Sequence, residues 1–258
     1  MKLVLSEEGL LALHATLKRH PLLAFDFDGT LAPIVARPQD AAVPPAVALQ
    51  LQRLRDRFPI AVISGRRVAD VRNRLGFEPH FVVGNHGAED PSMPPREDLA
   101  QALDPLRQRL HRAAHTLQQA GVLVEDKHYS IALHYRLALD QELAQQAIQD
   151  VLAALQVSRA LAESPLHIFG GKMVVNVMAA SAPNKADAIA RLTQQLQAKA
   201  LVFVGDDIND EPVFERVEPD WLTIKVGLEN LGSKAQLFLS ASKDMGLLLD
   251  CFLGTERA

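Results

Sequence analysis

Asp26 and Asp28 stand two residues apart in Asp26-Phe-Asp-Gly-Thr30, directly after the apolar run Leu22-Leu-Ala-Phe25. Charges at the end of a buried strand are costly unless something compensates them, and a bound divalent cation does so. If the strand persists through both acids they project to one side, and such a pair offers a nucleophile beside an acid/base group. A plain Asp-Gly turn accounts for one of these acids but not for both. A second cluster, Asp206, Asp207, Asp210 and Glu211, follows another apolar run, Leu201-Val-Phe-Val204. Acids favour helix starts, but four in six residues repel one another, and a cation explains them better than capping does. Oxygen ligands without clustered Cys or His point to Mg²⁺ rather than Zn²⁺. Ser64-Gly65 also follows an apolar run and opens a helix, a geometry that serves equally as a cap or as a phosphate site. Lys185 starts a helix as well; its charge opposes the macrodipole there, and an anion would repair the mismatch.

The elements around these residues form a rhythm. A lead-in helix is expected over Ser6 to His20, strands over Leu22 to Phe27, Ile60 to Ile63 and Phe81 to Gly84, and helices over Ala46 to Phe58 and Val68 to Leu75. Alternating strands and helices predict a doubly wound parallel α/β sheet, whose ligand crevice lies at the carboxyl ends of the strands. The pattern changes near Pro91-Ser-Met-Pro-Pro95. A long polar-faced helix is expected from Glu97 to Gln119, β-like alternation from Val122 to Arg136, a helix over Gln141 to Leu155, and a hairpin from Leu166 to Val177 turning at Gly170-Gly171. After Pro183 the first rhythm resumes, with a helix over Lys185 to Gln197, strands at Leu201 to Val204 and Trp221 to Val226, and a helix near Lys243 to Leu253. Residues 1–93 and 181–258 therefore read as one discontinuous core, interrupted by a smaller α/β insert at 94–180.

The composition excludes several classes. The chain has 258 residues, 48% hydrophobic and 22% charged, with a formal net charge of -4. This is ordinary for a globular protein and lacks the basic excess of a nucleic-acid binder. The single cysteine, Cys251, excludes an internal disulfide and fits a reducing compartment. Glu7 and Glu8 stand where a signal peptide needs an apolar segment, and no run approaches a membrane span. A cytoplasmic protein is expected, with no nucleic-acid or membrane partner and with a monomer as the simplest state. His111 and His115, four apart on a helix without a third ligand nearby, read as a solvated face rather than a metal site.

Asp26-Phe-Asp-Gly-Thr30, Ser64, Lys185 and Gly205-Asp-Asp-Ile-Asn-Asp210, in this order, resemble the haloacid dehalogenase superfamily of aspartyl-phosphate phosphatases. The resemblance implies that Asp26 attacks phosphorus and that Asp28 protonates the leaving oxygen and then activates water. It implies that Thr30, Ser64, Gly65 and Lys185 hold the phosphoryl group. It also implies an Mg²⁺ site at Asp26, Asp206 and the backbone carbonyl of Asp28, with Asp207 and Asp210 in or near it. Ile63-Ser-Gly-Arg66, Gly84-Asn-His-Gly-Ala-Glu89, His134-Tyr-Arg136 and Gly171-Lys-Met-Val-Val175 narrow the likeness to the trehalose-6-phosphate phosphatases. The insert then corresponds to a cap, and a small sugar-phosphate substrate would be recognised by Glu125, Lys127, His134, Arg136, Lys172 and Asn176 of the insert together with Arg66, Asn85 and His86 of the core. Read alone, Glu125 and Lys127 would be a solvated strand end; the resemblance makes them a sugar-binding pair. Asn176 replaces the Glu usual in the family, and Ala186 the usual Gly. Asn176 keeps hydrogen-bonding capacity but removes a charge, so another phosphorylated sugar, such as sucrose phosphate, is the alternative substrate. A non-catalytic sugar-phosphate sensor is the alternative of a different class.

Overall fold

The computed structural model describes residues 1–35, 37–156, 165–216, 218–227 and 232–254. The chain divides into two units, Met1–Pro91 with Pro183–Ala258, and Ser92–Ala182. The first unit opens with β1 (Lys2–Leu3), α1 (Glu7–Leu17), β2 (Leu22–Phe25), α2 (Pro45–Arg55), β3 (Ile60–Ile63), α3 (Val68–Leu75) and β4 (Phe81–Val83). The second unit holds α4 (Glu97–Gln101), α5 (Asp104–Arg112), α6 (Ala114–Gln119), β5 (Leu123–Asp126), β6 (Ser130–His134), α7 (Gln141–Gln156), β7 (Leu166–Gly171) and β8 (Val174–Ala179). The chain then returns to the first unit with α8 (Lys185–Gln195), β9 (Leu201–Gly205), α9 (Glu211–Phe214), β10 (Trp221–Val226), β11 (Leu237–Leu239) and α10 (Met245–Leu253).

In the first unit seven strands lie in the order β1-β11-β10-β9-β2-β3-β4, every neighbouring pair parallel. The central strands are buried on both faces, which is why they read as continuous apolar runs. Leu23, Phe25, Val202 and Val204 face a core completed by Leu51 and Leu54 of α2 and Leu248 and Leu249 of α10. Leu22, Ala24, Leu201 and Phe203 face the other way, onto Ala188, Ile189 and Leu192 of α8. Truncating a fully buried leucine such as Leu51 to alanine would cost ~2–5 kcal/mol. Strand order reverses between β9 and β2, the switch point at which such sheets form their ligand crevice.

The second unit is an antiparallel sheet in the order β5-β6-β8-β7. One face carries Ile131, Leu133 and Val177 and packs against Leu106 and Leu110 of α5, Leu117 of α6 and Ile148 and Val151 of α7. On the opposite face the register sets Glu125, Ala132, Asn176 and Phe169 in one row across all four strands, because directly opposed residues project to the same side.

Three expectations change. The helix from Glu97 to Gln119 is three helices; Pro105 at the start of α5 lacks the amide that would bond to Gln101 and its ring crowds that carbonyl. The hairpin turns at Lys172-Met173, with Met173 at φ 61°, while Gly170 and Gly171 belong to β7. The strand expected through Phe27 stops at Phe25. The short β1 and β11 gave no periodic signal, being two and three residues long. Among the described residues no helix is long and apolar enough to cross a membrane.

Candidate active site

Three adjacent strands deliver their first polar residues to one edge of the parallel sheet. Asp26 follows β2 and its amide donates to the Val204 carbonyl of β9 at 2.8 Å; Ser64 follows β3, and Asp206 follows β9. After β2 the chain turns sharply, with the Gly29 amide donating to the Ala32 carbonyl at 2.7 Å and the Ala32 amide to that of Phe27 at 2.9 Å. Gly29 sits at φ 83°, and a Cβ there would fall 2.0 Å from Asp206 Oδ2. Glycine is thus required both by the left-handed backbone and by the close approach of the Asp206 carboxylate.

Lys185 enters from α8. Asn184 and Asp187 form a reciprocal capping box that fixes the helix start, so the lysine occupies the first helical position despite the macrodipole. Its Nζ donates to Asp26 Oδ1 and to Asp210 Oδ1, both at 2.6 Å, and all three side chains are buried. Burial alone would lower the lysine pKa, but Asp210 and Asp26 together hold it well above its ordinary value. Burial pushes the Asp26 carboxyl well above the usual carboxylate range; Lys185 pulls it back, and Asp210 and Asp206 add to the rise. Burial is the largest of these influences, and two neighbouring carboxylates stand against one ammonium, so the direction for Asp26 is upward.

Carboxylate oxygens of Asp26, Asp206 and Asp210 lie within 4.8 Å of one another. An all-oxygen set of this kind fits a hard divalent cation. Asp207 is not in that group. Its side chain turns back to accept from the Ile208 amide at 2.8 Å, and its own amide donates to Asp210 Oδ2 at 3.0 Å, closing a cap over the loop.

The two acids of the opening pair take different surroundings. Because the strand stops before Asp26, Asp28 does not share its environment. Arg66 grips Asp28 through Nε and Nη2, each at 2.7 Å, and places Nη1 on Asp70 at 2.8 Å. Nη2 also donates to the Pro38 carbonyl at 2.8 Å, and the guanidinium lies over the Phe27 ring. The Ser64 Oγ is buried and accepts from the Arg66 amide at 3.1 Å, which is capping geometry. Thr30 is fully buried, with no hydrogen-bond partner for Oγ1 among the described residues.

Asn85 and His86 follow β4 in left-handed conformations, φ 48° and 57°. Asn85 donates to Glu89 Oε2 at 2.8 Å, and the same oxygen accepts from the Val68 amide at 3.0 Å. The His86 amide donates to the Ser64 carbonyl at 2.9 Å, and a Cβ on Gly65 would fall 2.4 Å from His86 Cε1. These contacts bind the loops after β3 and β4 into one piece. Glu89 escaped sequence reasoning as a residue in its own right, although its motif was visible.

The remaining candidates lie in the second unit. His134 Nε2 meets Glu125 Oε2 at 2.9 Å, and Lys127, buried in the turn after β5, sits 3.7 Å from the same oxygen. Asn176 is buried in the same row as Glu125. Arg136 donates to the Lys172 carbonyl at 3.1 Å, tying the end of β6 to the β7–β8 turn. His167 and Phe169, not singled out in the sequence, stack with ring centroids 5.0 Å apart. Their signal is aromatic residues at strand spacing, on the strand beside Asn176.

A parallel sheet with an acid after each of its two central strands and a lysine from the covering helix has the haloacid dehalogenase fold. The family model described as Trehalose-phosphatase matches residues 24–241. The chain is 37% identical over 210 residues to a trehalose-phosphate phosphatase of Mycobacterium avium, covering 77% of this chain and 52% of that one. It is 33% identical over 236 residues to the trehalose-phosphate phosphatase of Mycobacterium tuberculosis, covering 86% and 58%. The C-terminal domain of Candida albicans trehalose-6-phosphate phosphatase superposes with a TM-score of 0.79 at 21% identity, covering 99% of each chain. The chain belongs to the trehalose-phosphatase family. It spans about half the length of these two mycobacterial phosphatases, and 15% of a larger Mycobacterium tuberculosis relative named an uncharacterized glycosyl hydrolase.

Proposed function

We propose that the chain is a phosphatase that releases phosphate from trehalose 6-phosphate through an aspartyl-phosphate intermediate at Asp26. The observation that carries this reading is the buried convergence of Asp26, Lys185, Asp206 and Asp210 at the sheet's switch point. A carboxylate held by an ammonium in a buried site is a positioned nucleophile. In the first step an Asp26 oxygen forms a bond to phosphorus as the bond from phosphorus to the sugar oxygen breaks, and Asp28 gives that oxygen a proton. In the second step water attacks phosphorus with Asp28 taking its proton, and Asp26 is released with inorganic phosphate. Lys185 and the Ser64–Gly65 turn hold the phosphoryl oxygens, with the buried Thr30 hydroxyl as a further donor. Asp28 leaves the Arg66 fork to serve as proton carrier, so Arg66 is an anchor for its resting position.

Asp26, Asp206 and Asp210, with the Asp28 carbonyl, would hold Mg²⁺, which when bound neutralises charge between the carboxylates and a phosphate dianion. We read the inserted unit as a cap whose Glu125, Lys127, His134 and Asn176 recognise the sugar. The family membership supports trehalose 6-phosphate over sucrose phosphate. A cytoplasmic location accords with a single cysteine, Cys251. Replacing Asp26 by Asn is expected to lower phosphate release by about a thousandfold or more with the far-UV spectrum unchanged. Full activity in that variant overturns the mechanism, and a higher kcat/KM for another sugar phosphate overturns the substrate.

A further inference from the structure

Lys225 is a buried cation to which the mechanism above gives no task. It is the fifth residue of β10, Trp221-Leu-Thr-Ile-Lys-Val226, a strand buried at every position. The lysine itself is 2% exposed. A buried ammonium persists only where partners replace its water. Here Nζ donates to the Asp206 backbone carbonyl at 2.8 Å, lies 3.9 Å from Glu211 Oε1, and stands 5.8 Å from the centre of the Phe214 ring. The β9–β10 register sets Lys225 opposite Gly205, so the ammonium reaches the carbonyl of the residue that follows β9.

These contacts reach the acidic loop at both ends, through a hydrogen bond at Asp206 and a looser ion pair at Glu211. At its start the lysine holds the backbone of Asp206. At its end it faces Glu211, whose other oxygen accepts from the Lys234 amide at 3.1 Å. A lysine near a cation site would ordinarily weaken cation binding by repulsion. Glu211, 3.9 Å away, offsets part of that charge, because opposite charges a few ångströms apart act at a distance as a dipole. What remains is a charge-assisted hydrogen bond to the backbone from which the Asp206 carboxylate projects. That carboxylate packs so closely on Gly29 that a Cβ there would fall 2.0 Å from its Oδ2.

We propose that Lys225 is a positioning residue for divalent-cation binding, fixing the Asp206–Glu211 loop so that Asp206 and Asp210 converge with Asp26. The proposal rests on the reading of Asp26, Asp206 and Asp210 as cation ligands. Its test is Mn²⁺ binding to the full chain, followed by the electron paramagnetic resonance signal of free Mn²⁺, for wild type, Lys225→Met and Lys225→Arg. The cation-free Tm of each serves as a fold control. Methionine fills the stem's volume without a donor. It is expected to weaken Mn²⁺ binding about tenfold or more, the usual effect of losing a partner that orients a ligand. Arginine is expected to restore most of that loss. Lys225→Gln, uncharged and shorter, is judged by the same criterion if the methionine variant does not fold. Unchanged or tighter binding in a folded neutral variant, with wild type binding Mn²⁺, overturns the assignment of Lys225 alone. Wild-type protein that binds no Mn²⁺ overturns the cation reading and the proposal with it.

Discussion

At the scale of single residues, the site is governed by the burial of its charges. The Asp26 carboxyl is raised by burial, then by Asp210 and Asp206 against Lys185. An acid whose folded pKa exceeds its unfolded one binds its proton more tightly in the folded state. Stability therefore falls as pH rises from about 3.9, the unfolded value, toward the raised folded value. A divalent cation favours the ionised form, so the rise in Tm on adding Mg²⁺ should grow across that same window. Thermal melts at stepped pH, with and without Mg²⁺, check this, and a gain independent of pH contradicts it. Asp26→Asn should flatten the cation-free slope. Arg66 belongs to the same scale. It is nearly buried and joins Asp28, Asp70 and a backbone carbonyl. After discounting its half-exposed acidic partners for solvent screening, Arg66→Gln should cost about 1–2 kcal/mol of stability, read from urea unfolding.

The convergence of Asp26, Asp206 and Lys185 was legible in the sequence because each stands where an apolar run or a capped helix begins or ends, and strand ends gather at one edge of a parallel sheet. The Arg66–Asp28 fork was not, since it depends on the loop geometry after two strands, and nothing in either motif states which donor meets which acid.

At the scale of elements, the second unit depends on cross-links between helix and sheet. Arg107 of α5 donates to Asp126 of β5 at 2.7 Å and to the His128 carbonyl at 2.7 Å. The hydrogen bond from Arg107 holds the Asp126 carboxyl below its ordinary range. A depressed acid contributes stability that is complete above the unfolded pKa of about 3.9 and is lost as pH falls through the folded value. Arg107→Ala should lower stability by about 0.5–1 kcal/mol at neutral pH, and the gap to wild type should close in acid. A gap of constant size would show that packing of the arginine stem, not the ion pair, is what α5 loses. The three-way break of the segment from Glu97 to Gln119 was half legible: Pro105 announced one break, whereas that at Ala113 has no local marker and nothing in its contacts explains it. The β7–β8 turn was misplaced because Gly-Gly is a strong turn signal, yet Met173 takes the left-handed position. On β7 itself, the His167–Phe169 stack lies beside Asn176, where the proposed cap function would have it meet the sugar. Phe169→Ala should raise KM for trehalose 6-phosphate several-fold with kcat little changed; an unchanged KM removes the stack from recognition.

At the scale of the whole molecule, the insert leaves and rejoins its host at neighbouring points. A Cβ on Gly87 would fall 2.4 Å from the Asn184 carbonyl oxygen, so the chain on either side of residues 92–182 is already in contact within the first unit. Replacing 92–182 with a short Gly-Ser linker should leave a cooperatively folding seven-stranded unit, because loop closure across neighbouring ends is cheap. A melt without a cooperative transition would show that the first unit needs the second to fold. In the sequence the rhythm of elements changes near Pro91-Ser-Met-Pro-Pro95 and resumes after Pro183.

The reversal of strand order has a consequence in time. Asp26 follows the strand at which the sheet's early half, β2 to β4, meets its late half, β9 to β11. Lys185 follows Asp26 by 159 residues. A ribosome adding ~5–20 residues per second needs on the order of 10–30 s to bridge that interval. Throughout it the nascent chain presents one apolar edge of β2 with no strand to cover it and a carboxylate with no ammonium. The residues of the site are therefore complete only once Asp210 has been added, and until β9 is made that edge of β2 stays uncovered.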